Sequence, residues 1–270
     1  MAGTNDRARP RALVTGASSG IGQAFAERFA AEGYDLVVVA RRRERLEELA
    51  TKLRTAHRVG VDVLVADLTT ASLHEVEERI AMDDALQMLV NNAGFGAYMP
   101  FAQLEPDRAE ELIKLQVVAA TRLTRAALPG MIARKNGAII NVSSLLAFSA
   151  SLPPTPLPAR ATYAATKAFL NTFTELLHHE LAGAGVRVQV LCPATVRTEF
   201  HRLQGMDPDR LAVPPMTAEE VVQASLAGLK SGEVVCVPGV EDYKVVAEYQ
   251  QARTRVIQSG LPNKLALRYQ

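Results

Sequence analysis

The sequence predicts a doubly wound α/β fold, a parallel sheet of about seven strands with helices on both faces. Two patterns carry that expectation. Short β-branched apolar runs alternate with longer segments of helical period, the order that builds a parallel sheet through right-handed crossovers. Each run is also nearly continuously apolar, as a strand buried on both faces requires. With 270 residues, 48% of them hydrophobic, the chain can bury such a core as a single unit.

In order along the chain, strands are expected at residues 11–15, 35–40, 61–66, 86–91, 138–142 and 186–191, with a weaker one at 233–237. The helical segments between them are expected at 23–32, 43–56, 71–82, 110–134 and 161–184. Two stretches interrupt the rhythm. Residues 152–160 carry Pro153, Pro154, Pro156 and Pro158, which predicts a stiff, extended loop. Residues 201–215 are polar and end in Pro214 and Pro215, which suggests a loop or short mobile helix. Both lie near the carboxyl ends of strands, where ligands bind in such sheets. Segments 151–160 and 199–216 are therefore expected to be substrate loops embedded in a domain of residues 1–240. Residues 241–270 are expected to form a C-terminal extension packed on that domain or on a neighbouring subunit.

Composition removes several function classes. A net charge of +1 gives no general electrostatic reason to bind nucleic acid or anionic lipid. Cys192 and Cys236 are the two cysteines, too few and too far apart for a disulfide framework or a metal site. That usage fits a reducing compartment. No apolar run approaches the ~20 residues of a spanning helix, and the first residues lack the apolar centre of a secretory signal. A cytoplasmic, metal-free protein is expected.

The first chemistry-bearing motif is Thr15-Gly16-Ala17-Ser18-Ser19-Gly20-Ile21-Gly22, between the first strand and the first helix. Glycines there permit a tight turn and close backbone approach to a pyrophosphate, and the helix N-terminus offers unpaired N–H groups. About 20 residues further on, a site for NAD usually places a carboxylate against the ribose hydroxyls. Here Ala40, Arg41 and Arg42 occupy that neighbourhood. A guanidinium grips a 2′-phosphate that a carboxylate would repel, so NADP(H) is favoured over NAD(H). Arg43 and Arg45 read as the solvated start of the next helix.

From this point the chain resembles the short-chain dehydrogenase/reductase family, over roughly residues 11–237. The landmarks follow strands in order: the glycine turn, Asp67, Asn91-Asn92-Ala93-Gly94, Asn141-Val142-Ser143-Ser144, Tyr163-Ala164-Ala165-Thr166-Lys167 and Pro193-Ala194-Thr195-Val196-Arg197-Thr198. The resemblance implies a Rossmann-type fold, with Asp67 and Leu68 against an adenine and Asn92, Ala93 and Gly94 beside the adenosine ribose. It implies contacts from Val196 and Thr198 to a nicotinamide carboxamide, with Pro193 shaping the loop. Lys167 would hold the nicotinamide ribose. Ser144 rather than Ser143 would bind the substrate oxygen, since the family usually uses the second serine of the pair.

Tyr163 and Lys167 are four residues apart, on one helix face. A free phenol, with a pKa of ~10, is a poor base near neutrality. A nearby ammonium and the positive ring of an oxidised nicotinamide would favour tyrosinate. Tyr163 is therefore expected to exchange the proton that accompanies hydride transfer to a carbonyl or from an alcohol.

Three features depart from the family pattern. Gln116 stands where an asparagine usually helps hold a water linked to the lysine, which predicts a rearranged or weakened proton relay. Ala194 replaces a glycine after Pro193, which predicts a different turn there. The stretch between Ser144 and Tyr163 is long, which suggests an insertion at the substrate entrance.

The leading expectation is thus an NADP(H)-dependent oxidoreductase acting on a small carbonyl compound or alcohol. Two alternatives keep the fold: a nucleotide-binding regulatory protein without turnover, and a non-redox lyase or epimerase. Phe95, Tyr98, Met99, Leu145, Leu146, Phe148, Phe200, Leu203 and Met206 are candidate pocket residues. Their apolar character favours a hydrophobic substrate. The resemblance further implies a homodimer or homotetramer paired through the two long crossover helices.

Overall fold

The computed structural model describes residues 9–155, 157–205, 207, 213–261 and 264–270. The chain divides into two compact units, Met1–Pro238 and Gly239–Gln270. The first unit is built on a seven-stranded sheet: β1 (Arg11–Thr15), β2 (Asp35–Ala40), β3 (Val61–Val65), β4 (Leu86–Asn91), β5 (Gly137–Val142), β6 (Val186–Leu191) and β7 (Val235–Cys236). All pairs are parallel, in the order β3-β2-β1-β4-β5-β6-β7. The chain reverses its direction of winding between β1 and β4, the place where doubly wound sheets open a ligand crevice.

Helices cover both faces. They are α1 (Gly20–Ala31), α2 (Arg43–His57), α3 (Ser72–Ala81), α4 (Pro106–Ile113), α5 (Ala120–Arg134), α6 (Ala161–Glu180), α7 (Glu199–Arg202) and α8 (Ala218–Ser231). The unbroken apolar character of the strands follows from this arrangement. Ala12, Val14, Leu36, Val38, Val90 and Ile140 pack with Phe25, Phe29, Leu46 and Val221 on one side. Their alternate neighbours Leu13, Val37, Val39, Leu89 and Ile139 pack with Val76, Leu123, Met131 and Leu177 on the other.

The helix expected at 110–134 begins four residues earlier, with Pro106 in its first turn, where a missing N–H costs nothing. It is not uniform. Lys114–Ala119 form one π-helical segment between α4 and α5, a wide turn often found at functional sites. Helix α8 had no counterpart among the expected segments, although its start is written in the sequence. Thr217 accepts from the Glu220 N–H while the Glu220 carboxylate accepts from the Thr217 N–H, a reciprocal cap. In the second unit, Lys244–Gly260 form helix α9. Among the described residues no helix is long and apolar enough to cross a membrane.

Candidate active site

The carboxyl ends of the central strands open onto a cleft of about 500 Å3. Its first wall is the turn between β1 and α1. Gly16 and Gly20 have φ of +66° and +58°, in the left-handed region, and a Cβ on Gly16 would come within 2.8 Å of the Asn92 side chain. Only glycine fits there. Asn92 in turn ties β4 to β1: its backbone N–H donates to Thr15 Oγ1 at 2.9 Å and its side-chain amide to the Thr15 carbonyl at 2.9 Å. The Asn92-Ala93-Gly94 turn therefore braces the sheet and lines the cleft at once.

Helix α1 points its N-terminus into the cleft, and its first turn carries no acidic side chain. The positive end of the helix is left for an anion. Ser18, Ser19, Gly20 and Ile21 line this end of the cleft with Gly16. Gly22 does not line it. A Cβ there would run into the Gly16 carbonyl, so Gly22 acts through helix–turn packing instead of the ligand contact expected of it.

Arg41 and Arg42 both border the cleft, with different company. Arg41 lies 3.6 Å from Asp67 and 3.7 Å from Glu111. Arg42 lies over the glycine turn, donating from Nη2 to the hydroxyls of Ser18 at 2.9 Å and Ser19 at 2.7 Å. Its Nη1 donates to Glu199 at 2.9 Å, and Arg45 donates to the same carboxylate at 2.7 Å. Arg45 is thus half exposed yet engaged, not merely solvated. Burial pushes the Asp67 carboxyl up, but hydrogen bonds from Thr69 and the Arg41 guanidinium outweigh it and hold the group below its usual range. Leu68 follows on the cleft wall. Glycine backbone, an acid-free helix terminus, two serines and two guanidinium groups make a donor set suited to a phosphorylated dinucleotide.

At the far end of the cleft β5 delivers Ser143 and Ser144, and α6 delivers Tyr163 and Lys167, all buried. The two serines face different ways. Ser143 donates to the Lys167 carbonyl at 2.9 Å, whereas Ser144 accepts from the Leu146 N–H at 3.2 Å and its hydroxyl favours the ionised form of the Tyr163 phenol. Lys167 Nζ donates to the Val142 carbonyl at 2.8 Å and stands 5.6 Å from the centre of the Tyr163 ring. Burial pushes the Tyr163 phenol up to about 12 and the Lys167 ammonium down to about 7. This corrects the expectation that the Lys167 ammonium brings the Tyr163 phenol down. Burial wins, and the groups that oppose it are the hydroxyls of Ser144 and Tyr98.

Pro193, Val196 and Thr198 close the cleft after β6. Among the described residues the left-handed non-glycine positions are Arg58 and Lys135, so Ala194 takes an ordinary backbone conformation. Phe95, Tyr98, Leu146, Phe200 and Leu203 line the catalytic end; Met99, Leu145 and Phe148 do not. Met206 lies outside the described residues. Glu199, His201 and Gln204 also line the cleft and were not singled out from sequence. Their only signal was position in the segment after β6.

Two further expectations need revision. None of the described residues of 151–160 lines the cleft. Arg160 binds this stretch back onto the turn at Leu145–Ser151, donating to Ser149 O at 2.9 Å and to Leu152 O at 3.0 Å. Gln116 is also outside the cleft lining. Its amide bridges two elements instead, with Nε2 donating to the Phe95 carbonyl at 2.7 Å and Oε1 accepting from Thr166 Oγ1 at 2.7 Å. It borders a separate small cavity shared with Lys167.

A parallel sheet with this crevice, closed by a serine, a tyrosine and a lysine, defines a nucleotide-dependent oxidoreductase scaffold. The family model for short chain dehydrogenases matches residues 10–208, and the chain belongs to that family, whose members act on hydroxyl and carbonyl groups. The chain is 37% identical to a short-chain dehydrogenase from Sphingobium yanoikuyae solved in complex with NADPH. That match covers 97% of this chain and 100% of the other, with a TM-score of 0.91. It is 35% identical to a bulky-bulky ketone specific alcohol dehydrogenase from Comamonas testosteroni, covering 96% and 98% of the two chains with a TM-score of 0.86. It is also 35% identical over 192 residues to the inactive hydroxysteroid dehydrogenase-like protein 1 of Homo sapiens. There it covers 70% of this chain but spans only 56% of that relative.

Proposed function

We propose that this chain is an NADP(H)-dependent oxidoreductase that moves a hydride between nicotinamide and the carbonyl or alcohol carbon of a hydrophobic small molecule. One observation carries the reading: the Tyr163 hydroxyl meets Ser144 one helical turn from Lys167, at the opposite end of the cleft from Arg41 and Arg42. A bound dinucleotide supplies the hydride. Ser144 and Tyr163 hold the substrate oxygen, and Tyr163 gives that oxygen a proton in reduction and takes it back in oxidation. Lys167 titrates near neutrality, and when charged it favours the ionised phenol. Arg41, Arg42, Ser18 and Ser19 would receive the 2′-phosphate, Asp67 and Leu68 the adenine, and Asn92, Ala93 and Gly94 its ribose. Pro193, Val196 and Thr198 would border the nicotinamide.

The apolar lining at Phe95, Tyr98, Leu146, Phe200 and Leu203 supports a ketone with hydrophobic substituents, in keeping with the ketone specificity of the Comamonas neighbour. A cytoplasmic homodimer or homotetramer completes the reading. Exposed Ile132 on α5 and Phe169 and Leu176 on α6 offer it an apolar face. A regulatory protein without turnover is the second reading. The inactive human relative and the burial that pushes the Tyr163 phenol up to about 12 favour it.

The test is NADPH and NADH consumption in parallel over ketones, aldehydes and quinones, with Tyr163→Phe as control. The expected result is a preference for NADPH and a loss of at least about 100-fold in the variant. Equal use of NADH overturns the role given to the arginines. No consumption with any substrate while NADPH still binds selects the regulatory reading.

A further inference from the structure

Tyr98 follows β4, and its ring stands edge-on to that of Tyr163, with centroids 5.2 Å apart and planes at 76°. Phe200 completes a cluster of three rings, 6.0 Å from Tyr163 and 6.4 Å from Tyr98. The Tyr98 and Ser144 hydroxyls both lie close enough to the Tyr163 hydroxyl to influence its ionisation. The loop that carries Tyr98 is fixed from three directions. Gln116 holds the Phe95 carbonyl, the Arg108 guanidinium lies 3.6 Å from the centre of the Phe95 ring, and Gly96 packs against the Gln204 side chain. The contact between the two phenols is therefore built into the site.

We propose that Tyr98 is a further catalytic residue, whose hydroxyl donates to the phenolic oxygen of Tyr163 and holds the charge left there when the proton departs. This rests on the oxidoreductase reading above. A count of donors carries the argument. A serine hydroxyl has one proton, and Ser144 cannot give it to the substrate oxygen and to Tyr163 at once. Lys167 Nζ is engaged by the Val142 carbonyl and stands 5.6 Å from the centre of the Tyr163 ring. Tyr98 is left to donate to the Tyr163 oxygen. Its proton stays in place as Tyr163 ionises, because burial and the neighbouring phenol push Tyr98 further up than Tyr163. Atoms balance: the Tyr163 proton passes to the substrate oxygen, and the Tyr98 proton remains on its own oxygen.

Tyr98→Phe keeps the ring and removes only the hydroxyl. In alcohol oxidation its kcat should fall about 10-fold near neutral pH, the scale of one charge-assisted hydrogen bond, with KM for the alcohol changed less than about twofold. The acid limb of its kcat/KM profile should move up by about one pH unit, since an unsupported phenolate forms later. A readout free of cofactor uses protein labelled with 13C at the tyrosine ζ carbon. The Tyr163 resonance, identified by its loss in Tyr163→Phe, should shift in Tyr98→Phe. Wild-type rate, pH profile and resonance in Tyr98→Phe, with loss confined to Tyr98→Leu, would show packing alone and overturn the proposal. Absence of turnover in the wild type removes the oxidoreductase reading and this role with it, and a shifted resonance then marks only a contact.

Discussion

The Lys167 ammonium donates to the Val142 carbonyl at 2.8 Å while standing 5.6 Å from the centre of the Tyr163 ring. Both groups are buried, and burial drives them in opposite directions. Lys167 falls from 10.5 to about 7, and Tyr163 rises from 10.0 to about 12. Between about pH 7 and 10.5 the folded chain binds less of the lysine proton than the unfolded chain, so stability should rise with pH across that window. Tyr163 acts oppositely: its contribution is present below pH 10 and lost as pH climbs toward 12. Thermal melts of the cofactor-free protein should show Tm rising from pH 7 to 9, and Lys167→Met should flatten that rise. Parallel curves for the two proteins would place Lys167 in a far more polar setting than this one.

Arg42 and Glu199 form the second relationship with a measurable consequence. Each is about two-fifths exposed and the pair is 2.9 Å apart, so its loss should change stability by less than about 1 kcal/mol. Its effect on ligand binding should be larger. Glu199 occupies Arg42 and Arg45 in the very place where a 2′-phosphate would compete for them. Glu199→Gln should tighten NADPH several-fold and leave NADH unchanged. Arg42→Ala should weaken NADPH at least about 10-fold, again sparing NADH. Fluorescence titrations with both nucleotides decide the matter, and equal effects on the two would remove the phosphate from this corner.

The strands and the order of landmarks were legible in the sequence because each rests on local information. Buried parallel strands show as runs such as Asp35–Ala40, and the glycine turn sits where β1 feeds α1. What could not be read depends on side chains meeting across the fold. Arg42 and Glu199 are 157 residues apart in sequence, and their pairing has no local mark. The same holds for Tyr98 and Tyr163, and it explains why Tyr98 looked like a simple apolar lining residue. Lys167 misled for a related reason: the four-residue spacing is visible, but the direction of its Nζ toward Val142 is not. The reciprocal cap of Thr217 and Glu220 is a different case, since that signal was local and readable.

Gln116 sits in the π-helical segment and is almost wholly buried. Its two hydrogen bonds join the loop of Phe95 and Tyr98 to Thr166 on α6, between Tyr163 and Lys167. Gln116→Leu should orphan the Phe95 carbonyl, leave Thr166 Oγ1 with its bond to the Tyr163 carbonyl at 2.8 Å, and cost about 1–3 kcal/mol, seen as a lower Tm. Gln116→Asn is shorter by one methylene and cannot span both bonds from the same backbone. It should lower kcat through the displaced loop and alter the pH profile. An asparagine variant with the rate and pH profile of the wild type would show that the bridge has no part in the chemistry.

Arg160 is a buried cation whose four hydrogen-bond acceptors are all neutral. It is 8% exposed and donates to Ser149 Oγ at 2.6 Å and to the carbonyls of Ser149, Leu152 and Pro158 at 2.9, 3.0 and 2.9 Å. The planar fork of a guanidinium reaches all four, and an ammonium could not. Arg160→Lys and Arg160→Met should therefore behave alike, each losing about 1–3 kcal/mol as the buried Ser149 carbonyl goes unpaired. Limited proteolysis should then cut first within residues 152–158, the stretch that Arg160 ties down. Tyr163 begins only three residues further on, so the same variants should lower kcat more than they raise KM. A lysine variant with the protease resistance of the wild type would mean that charge, not the fork, holds the turn.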